Sequence, residues 1–460
     1  MSQKNKLKTK VLKEITGTCV DYSSEGKGIV KVDNEVPVFV DNLLIGEEAV
    51  IEINYLKSDM AYGKVKHINK LSKDRIQPKC KVCTSCGGCC FQTLRYEKQL
   101  EYKKHKVEEC FKRIGHFSNV HVDDTIGMDN PYFYRNKIQM PIGLSQKGNI
   151  ISGFYKAKTH EIVPIDQCFI ENEDAGLILT NIKLLMKKFK LLPYDEDKHT
   201  GIIRHVLIRT GYYSHQIMVT LVTTIDEFPG RNNFVKQLRE LCPNITTIVQ
   251  NINPRDTNVI LGNKERVLFG KGFIQDSLLG VKFQISSKSF YQINPTQTEK
   301  LYSLAIEKAG LTGKERVLDA YCGIGTIGLI ASKKAQSVIG VEIVEDAIKD
   351  AKKNASLNNI NNESFYVGDA SKFIVDLAKN KEHFDVVFID PPRKGSDETF
   401  LSSLKQLRPN RIVYVSCDPA TLARDVKFMS DMYSIESITP VDMFPMTFHV
   451  ETVVALYIKK

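Results

Sequence analysis

The sequence predicts an α/β protein in which a Rossmann-like, doubly wound domain is preceded by a small β-barrel and a β-rich central domain. Three observations support this fold class. The chain has 460 residues, which is too long for one hydrophobic core and favours two or three domains. Short strands separated by turns fill residues 15–68, and strands dominate again from about 130 to 275. From about residue 295, helices alternate with apolar strands, which is typical of a mostly parallel sheet covered on both faces.

The overall charge is basic, since 64 Lys and Arg outnumber 54 Asp and Glu to give a net charge of +10. Five lysines stand among the first thirteen residues: Lys4, Lys6, Lys8, Lys10 and Lys13. This surplus suits a polyanionic partner such as nucleic acid, although a solvated lysine surface is the common alternative. No run of about eighteen apolar residues and no secretory h-region is present, so we expect a cytoplasmic protein without a membrane span.

The first predicted domain is the β-barrel. Its expected strands are residues 17–20, 26–32, 36–40, 49–53 and 62–66. Short strands at this spacing favour a barrel of the oligonucleotide-binding type, whose interleaved lysines would meet a phosphate backbone. A generic barrel with a solvated lysine face fits the composition equally. The stretch also resembles a TRAM domain, an RNA-binding barrel appended to RNA-modifying enzymes.

A dense group of cysteines follows, in the sequence Cys80-Lys-Val-Cys83-Thr-Ser-Cys86-Gly-Gly-Cys89-Cys90. In a reducing compartment such thiols indicate metal binding and not a disulfide framework. The spacing of Cys80, Cys83, Cys86 and Cys90 matches the bacterial ferredoxin pattern, although Phe91 stands where that pattern has proline. Two Cys-x-x-Cys pairs would equally suit zinc. The spacing therefore predicts a metal without selecting its ligands.

The middle of the chain begins with an amphipathic helix predicted over residues 96–114. Its apolar face is formed by Leu100, Val107, Cys110, Phe111 and Ile114, and this helix could pack on a domain distant in sequence. Strands are then expected at residues 137–140, 217–222 and 247–250, with a helix at 177–190. Cys168 stands alone in this region. Such a cysteine is ordinarily core, but it could join the cysteine group in space.

The C-terminal region opens with a glycine-rich turn, Asp319-Ala-Tyr321-Cys-Gly323-Ile-Gly325-Thr-Ile-Gly328, which follows a strand and precedes a helix. Glu342 ends the next strand about 20 residues later, where an acidic side chain can accept bonds from ribose hydroxyls. A nicotinamide dinucleotide site is the competing interpretation. The combination looks like an S-adenosylmethionine methyltransferase, in which Asp369 would contact adenine.

Two further strand ends carry functional side chains. Asp390-Pro391-Pro392-Arg393 closes one strand, and the proline pair can hold the carboxylate rigidly. An ordinary turn is the alternative, and Arg393 in place of an aromatic residue argues against adenine-N6 methylation. The segment 413–418 is predicted to be a buried strand that ends in a polar turn and presents Cys417 at its carboxyl end. Alone, Cys417 would be a buried small hydrophobe, but with a base it could act as a nucleophile, and His449 and Glu451 are the candidates.

Together these motifs resemble the RNA uracil-5-methyltransferase family, in its TRAM-bearing, cluster-containing branch that methylates 23S rRNA. The motifs in order are Cys80 with Cys86-Gly-Gly-Cys89, Ser289-Phe-Tyr-Gln292-Ile-Asn294, Asp319 to Gly325, Asp390 to Arg393, Ser416-Cys417-Asp418-Pro419 and His449-Val-Glu451. The resemblance implies Cys417 as the nucleophile and Glu451 as the base.

The same resemblance implies the ligand-binding residues. S-adenosylmethionine would be held by Gln292, Tyr321, Glu342 and Asp390. A 4Fe-4S cluster would be bound by Cys80, Cys86, Cys89 and Cys168. Cys83 and Cys90 are extra thiols within the family pattern, so the ligand set could differ in this chain. Asn294 and Arg393 are expected to support the site.

The predicted domains are 1–70 for the TRAM-like barrel, 71–285 for the central cluster-containing domain and 286–460 for the methyltransferase domain. The expected partner is 23S rRNA, with the protein acting as a monomer. Three alternatives stay open: methylation of tRNA uridine, methylation of RNA cytosine, and a non-enzymatic metal-containing RNA-binding protein. The lone Ser-Cys-Asp-Pro leans against cytosine.

Overall fold

The computed structural model describes residues 14–31, 36–156, 159–257 and 259–459. The five N-terminal lysines and Val32 of the second predicted strand lie outside these residues. Among the described residues, no helix combines the length and apolarity needed to cross a bilayer. The chain forms two compact units, described one at a time below. The first contains the described part of Met1–Thr84 with Gly88–Tyr102 and Met446–Phe448, and the second contains Ser85–Gly87, Lys103–Pro445 and His449–Lys460 up to residue 459.

The first unit contains a closed five-stranded barrel, as predicted, with strand order β1-β2-β3-β5-β4. Its strands are β1 (Glu14–Tyr22), β2 (Gly28–Val30), β3 (Val38–Val40), β4 (Glu48–Leu56) and β5 (Ala61–Lys70). The strands alternate because one face is buried: Ala49 and Ile51 of β4 are fully buried while their neighbours are partly exposed. Since successive side chains of a strand point to opposite faces, this alternation fills the barrel interior.

Helix α1 (Tyr96–Arg113) follows the cysteine-rich segment. Its C-terminal half belongs to the second unit, where Val107 and Phe111 are fully buried in a cluster with residues of the C-terminal sheet such as Ile412. The helix ends one residue earlier than predicted. Ile114 was expected on the apolar face, but it lies beyond the last helical residue and is 41% exposed, because the chain turns away at Gly115.

The central region of the second unit is a seven-stranded sheet covered by two helices. The sheet order is β12-β11-β10-β9-β6-β7-β8. Its elements are β6 (Lys137–Leu144), β7 (Ile150–Tyr155), β8 (Ile162–Pro164), α2 (Asp174–Lys188), β9 (Ile203–Thr210), β10 (Ile217–Thr223), α3 (Arg231–Leu241), β11 (Ile245–Ile252) and β12 (Lys264–Phe269). Each strand and helix predicted here lies within one of these elements or overlaps it. All residues of β9 and β10 are buried, which explains their nearly continuous apolar runs.

A hairpin, β13 (Phe273–Leu278) with β14 (Val281–Ser286), leads to the C-terminal sheet of order β17-β16-β15-β18-β19-β21-β20. Its elements are α4 (Pro295–Ala309), β15 (Arg316–Ala320), α5 (Thr326–Ala331), β16 (Ser337–Glu342), α6 (Glu345–Leu357), β17 (Glu363–Val367), α7 (Ala370–Lys379), β18 (Val386–Ile389), α8 (Glu398–Leu407), β19 (Arg411–Ser416), α9 (Pro419–Met429), β20 (Tyr433–Val441) and β21 (Glu451–Ile458), with a 3₁₀ turn at Ser332–Lys334.

This sheet is doubly wound, which confirms the predicted fold class. Strands β15 to β19 are parallel to their neighbours, while β21 is antiparallel to both β19 and β20. Two large hydrophobic clusters cover it, one containing α4, α5 and α6 and the other containing α8 and α9. Because parallel strands are buried on both faces, polar groups concentrate at the carboxyl ends, where the strands give way to loops.

Candidate active site

A cavity of about 640 Å³ opens at the carboxyl ends of the parallel strands. It is lined by all six residues predicted to bind the cofactor or to act in catalysis: Gln292, Tyr321, Glu342, Asp390, Cys417 and Glu451. Four of them sit at a strand end: Tyr321 follows β15, Glu342 ends β16, Asp390 follows β18 and Cys417 follows β19. This is the edge where open α/β sheets bind ligands.

The glycine-rich turn forms one wall of the cavity. Gly323 has φ +57°, and a Cβ atom there would meet no atom within 4 Å, so the backbone is open towards a ligand. Gly328 is glycine for the opposite reason, since a Cβ there would lie 2.2 Å from Oε1 of Glu363. The Gly328 N–H donates to Oδ2 of Asp319 at 2.8 Å. Burial raises the pKa of Asp319 to about 8.

The carboxylate of Glu342 is held by backbone donors. Its Oε2 accepts from the Gly323 N–H at 3.2 Å, and its Oε1 accepts from the Val344 N–H at 2.9 Å. The side chain is therefore fixed between the glycine turn and the loop after β16. A carboxylate in this position can accept further hydrogen bonds from a diol.

Gln292 is positioned from two sides. The side chain of the buried Tyr302, on α4, lies near the side chains of Gln292 and Thr326. Nδ2 of Asn136 donates to the backbone carbonyl of Gln292 at 2.9 Å, and the Asn136 N–H donates to that of Ile293 at 2.8 Å. The segment before α4 is thus tied to the central sheet, so the Gln292 amide is presented to the cavity in a fixed place.

Tyr321 takes the left-handed backbone conformation, with φ +68°. Its ring centroid lies 5.5 Å from that of Phe400, and its hydroxyl lies near the side chains of Ser396 and Ser371. Burial raises the pKa of Tyr321 to about 12, so the hydroxyl stays protonated at neutral pH. A left-handed tyrosine is uncommon, and such strain concentrates at functional sites.

Cys417 is delivered by the end of β19 and the start of α9. Asp418 caps this helix, since its Oδ1 accepts from the N–H groups of Ala420 at 2.9 Å and Thr421 at 3.2 Å. The half-buried Cys417 therefore has a fixed backbone beneath it. Burial, followed by the negative charges of Glu451 and Asp390, raises the pKa of the Cys417 thiol to about 12, while Arg393 acts in the opposite direction.

The two carboxyl groups near Cys417 hold protons more tightly than usual. Burial and then the charge of Asp390 raise the pKa of Glu451 to about 8, while Arg393 opposes this shift. Burial also raises the pKa of Asp390 to about 7. By contrast, burial and then Arg393 lower the pKa of His449 to about 4. At neutral pH the His449 imidazole is therefore neutral, whereas Asp390 and Glu451 both change protonation close to physiological pH.

Asn294 and Arg393 were expected from the sequence to support the site, and the structure shows where each of them lies. Asn294 caps α4, where its Oδ1 accepts from the Gln297 N–H at 3.3 Å, and its Nδ2 donates to the Met443 carbonyl at 3.1 Å. Arg393 lines the cavity and is a cation close enough to influence both Cys417 and Glu451. Sequence reasoning missed Tyr302, Thr326 and Phe444, which also line the cavity. Thr326 lies within the glycine-rich turn already singled out, whereas no local motif distinguishes Tyr302 and Phe444 from core residues.

The four predicted cluster ligands differ in burial. Within the described ranges, no group of three or more His, Cys, Asp or Glu side chains could hold a metal ion. Cys80 is buried, and Cys86, Cys89 and Cys168 are half-buried. Thiols are the donors that an iron-sulfur cluster requires, and the set of ligands stays a prediction.

Comparison with known proteins gives consistent matches across the chain. A family model described as tRNA (Uracil-5-)-methyltransferase matches residues 95–459. A Staphylococcus aureus (strain MSSA476) protein named as an uncharacterized RNA methyltransferase is 45% identical over 444 residues, covering 96% of this chain and 98% of the relative. A Listeria innocua protein of the same description is 44% identical over 443 residues, covering 96% and 97%.

A solved structure matches as well. The Pyrococcus abyssi tRNA (uracil-54, C5)-methyltransferase in complex with S-adenosyl-L-homocysteine aligns with a TM-score of 0.78 at 29% identity. The alignment covers 96% of this chain and 100% of the Pyrococcus chain. The likeness therefore includes the barrel, the central sheet and the C-terminal sheet.

Proposed function

This chain belongs to the tRNA (uracil-5-)-methyltransferase family, and from that membership we propose that it methylates carbon 5 of a uridine in 23S rRNA through a covalent cysteine-uracil adduct. The protein is an S-adenosylmethionine-dependent RNA methyltransferase. The observation that carries the proposed mechanism is the shared cavity, in which a thiol, a buried carboxyl group and the glycine-rich turn meet.

The proposed reaction needs a nucleophile and a base. Carbon 5 of uracil is a weak nucleophile, so Cys417 Sγ first adds as a thiolate to carbon 6 and shifts electron density to carbon 5. Carbon 5 then attacks the methyl group that S-adenosylmethionine would supply, the bond from that methyl to sulfur breaks and S-adenosylhomocysteine is released. Glu451 then removes the remaining proton from carbon 5, the double bond re-forms and the bond from carbon 6 to Cys417 breaks. The uridine has to leave its stack to reach the cavity.

The charges of the cavity suit this order of reaction steps. In the ligand-free site Glu451 and Asp390 retain protons near neutral pH because they are buried close together. A bound sulfonium cation favours the ionised forms of nearby acids. Cofactor binding would therefore help Cys417 to reach the thiolate form and Glu451 to become a base, which links methyl-donor binding to activation of the nucleophile.

We propose that four residues hold S-adenosylmethionine. Glu342, fixed by two backbone N–H groups, would accept from the ribose hydroxyls. Tyr321, Gln292 and Asp390 border the same space. The open backbone at Gly323 allows a ligand to approach closely.

The choice of RNA substrate rests on the motifs and on the N-terminal barrel. The motif set resembles the 23S rRNA branch, and we propose that the N-terminal barrel is a TRAM domain that binds RNA. The named tRNA substrate of the Pyrococcus protein supports tRNA uridine as the second candidate. We further propose domain boundaries at 1–70, 71–285 and 286–460, and a cytoplasmic, monomeric enzyme.

An iron-sulfur cluster is a separate proposal. We propose a 4Fe-4S cluster on Cys80, Cys86, Cys89 and Cys168, supported by thiol chemistry and the family pattern alone. No reaction step requires it. Iron and sulfide analysis of anaerobically purified protein tests the proposal, and stoichiometric zinc without iron would contradict it. Cys83→Ser and Cys90→Ser are the controls, because iron content should survive both.

Labelled S-adenosylmethionine tests the function. The protein is incubated with unmodified 23S rRNA and, separately, with unmodified tRNA, and the product base is mapped. We expect 5-methyluridine in 23S rRNA, and label in tRNA alone would replace the main substrate with the second candidate. Absence of transfer to uridine carbon 5 in both RNAs would refute the proposed activity. Cys417→Ala should abolish transfer while leaving S-adenosylhomocysteine binding intact.

A further inference from the structure

Three basic side chains lie together where the central sheet meets the segment before α4. They are Arg135, Lys137 and Arg209, called the basic cluster below. Lys137 of β6 and Arg209 of β9 are direct partners in the antiparallel ladder, so their side chains stand on one face of the sheet. Burial lowers the pKa of Lys137 to about 8, and the charges of Arg209 and then Arg135 add to this effect. The three cations therefore repel one another at close range.

Their positive charge is poorly neutralised by the surrounding protein. Glu171 is an acidic neighbour of Arg135, but burial raises the pKa of Glu171 to about 7 against the pull of that arginine. Its carboxyl group is thus only partly ionised at neutral pH. Among the described residues, neither Nε of Arg135 nor Nε of Arg209 has a hydrogen-bond acceptor, although both atoms are buried. Buried donors of this kind usually have a partner.

The basic cluster borders the active-site cavity. The Arg209 guanidinium, only 3% exposed, donates to the carbonyls of Ser289 and, at 3.4 Å, Ser287. These carbonyls precede Phe290, which lines the cavity and is 70% exposed. On the other side, the charge of Arg135 contributes to lowering the pKa of His449, a second cavity residue. The cluster therefore lies beside the segment before α4, which forms one wall of the cavity.

We propose that the basic cluster binds a backbone phosphate of the substrate RNA strand next to the target uridine. This inference rests on the proposed function, since it names how the same site holds its RNA. Arg209 is fixed by the two carbonyls, whereas the half-buried Lys137 and Arg135 remain accessible to an anion. A phosphate would relieve the repulsion among the three cations and supply acceptors for their donors.

The position explains what such a contact would do. A uridine that enters the cavity carries a phosphate on either side, and phosphate contacts set the register of the strand without reading its sequence. Holding one phosphate at the cavity rim would keep the base in place during the attack by Cys417. The cluster should therefore contribute to RNA binding more than to the chemical step.

Lys137→Gln tests this proposal, with Lys137→Arg as the charge-retaining variant. Lys147→Gln is the matched control, because Lys147 is an exposed lysine in the turn that follows the same strand. The substrate is the unmodified RNA that the parent protein methylates. We expect Lys137→Gln to raise KM about five- to tenfold at roughly 100 mM salt and to reduce the slope of log affinity against log salt by about 1. Its kcat should change less than about twofold, and Lys137→Arg should restore KM.

Two results would overturn the phosphate site: a KM and salt slope for Lys137→Gln equal to those of the parent, or an equal loss in Lys147→Gln. An equal loss would indicate diffuse surface attraction. Failure of the parent protein to methylate either RNA would instead refute the proposed function, so the two failures are separable. If thermal unfolding shows that Lys137→Gln is misfolded, Arg135→Gln replaces it and should give the same change in KM and salt slope.

Discussion

Replacing Glu451 by glutamine should make the ligand-free protein more stable at high pH. Glu451 is 4% exposed and stands at the start of β21, paired with Val441. Burial and Asp390 raise its pKa from 4.5 to about 8. That difference corresponds to roughly 5 kcal/mol between the folded and unfolded states. Because Asp390 is protonated over part of the same range, this figure is an upper limit.

The sign of this change in stability follows from the number of protons that the folded and unfolded protein bind. Below pH 4.5 the carboxyl group is protonated in both the folded and the unfolded protein, so it contributes little to the free energy of unfolding. Between pH 4.5 and about 8 the unfolded chain has released the proton that the folded protein retains, so stability falls as pH rises. Glutamine carries no proton to release, so Glu451→Gln should match the parent near pH 5 and exceed it increasingly up to pH 9. By then its melting temperature should be higher by a few degrees, at most about 5 °C.

Thermal unfolding of the parent and variant at pH 5, 6, 7, 8 and 9 measures this difference. Glu398→Gln is the control, since Glu398 is an exposed glutamate in the first turn of α8; its effect should vary little with pH. A Glu451→Gln difference that is constant across the series, or that favours the parent at pH 9, would show that the carboxyl group is not held protonated by its surroundings.

Three further predictions concern the site and its support. Glu451→Gln should also accumulate a covalent complex with RNA, because Cys417 adds normally but the carbon 5 proton is not removed. Denaturing electrophoresis detects this complex, and the double variant that also carries Cys417→Ala should not form it. Gly328→Ala should weaken S-adenosylhomocysteine binding in calorimetry, since its Cβ would lie 2.2 Å from Glu363 Oε1, and adding Glu363→Ala should restore part of the affinity. Lys103→Met should lower stability to urea by roughly 3–5 kcal/mol, because it leaves the fully buried Asp442 without its ion-pair partner; Lys104→Met, which removes an exposed pair with Asp124, should cost less than about 1 kcal/mol.

Much of the fold follows from local patterns in the sequence. The apolar runs that became β15 to β19 are bounded by turns, and their alternation with helices specifies a parallel sheet. Because parallel strands end at one edge, Asp390 and Cys417 were expected to converge, and the structure places both in one cavity. Glu451 was assigned to the same site because it belongs to the C-terminal His449-Val-Glu451 motif. Its position beside β19, however, depends on the antiparallel strand β21.

The remaining parts of the site depend on contacts between distant segments. Tyr302 resembles an ordinary core residue of an amphipathic helix, and only the folded chain brings its side chain to Gln292 and Thr326. Arg209 lies in a fully buried strand whose sequence gives no sign of its link to Ser289. The cysteine spacing predicted a metal but could not fix a three-dimensional donor arrangement, because ligand geometry is set by the fold and not by the interval between residues.

The buried ion pair between Lys103 and Asp442 also bears on how the protein is made. The two residues are separated by 339 positions, so a ribosome completes α1 long before the partner of Lys103 emerges. During this interval the helix can present a charged amine where the finished protein has a sealed interior. A product that terminates before Asp442 could not neutralise that amine or bury Val107 and Phe111 against the last strands. Such fragments would expose an apolar helix face to chaperones and proteases. Exposure of this face would distinguish incomplete chains from finished ones.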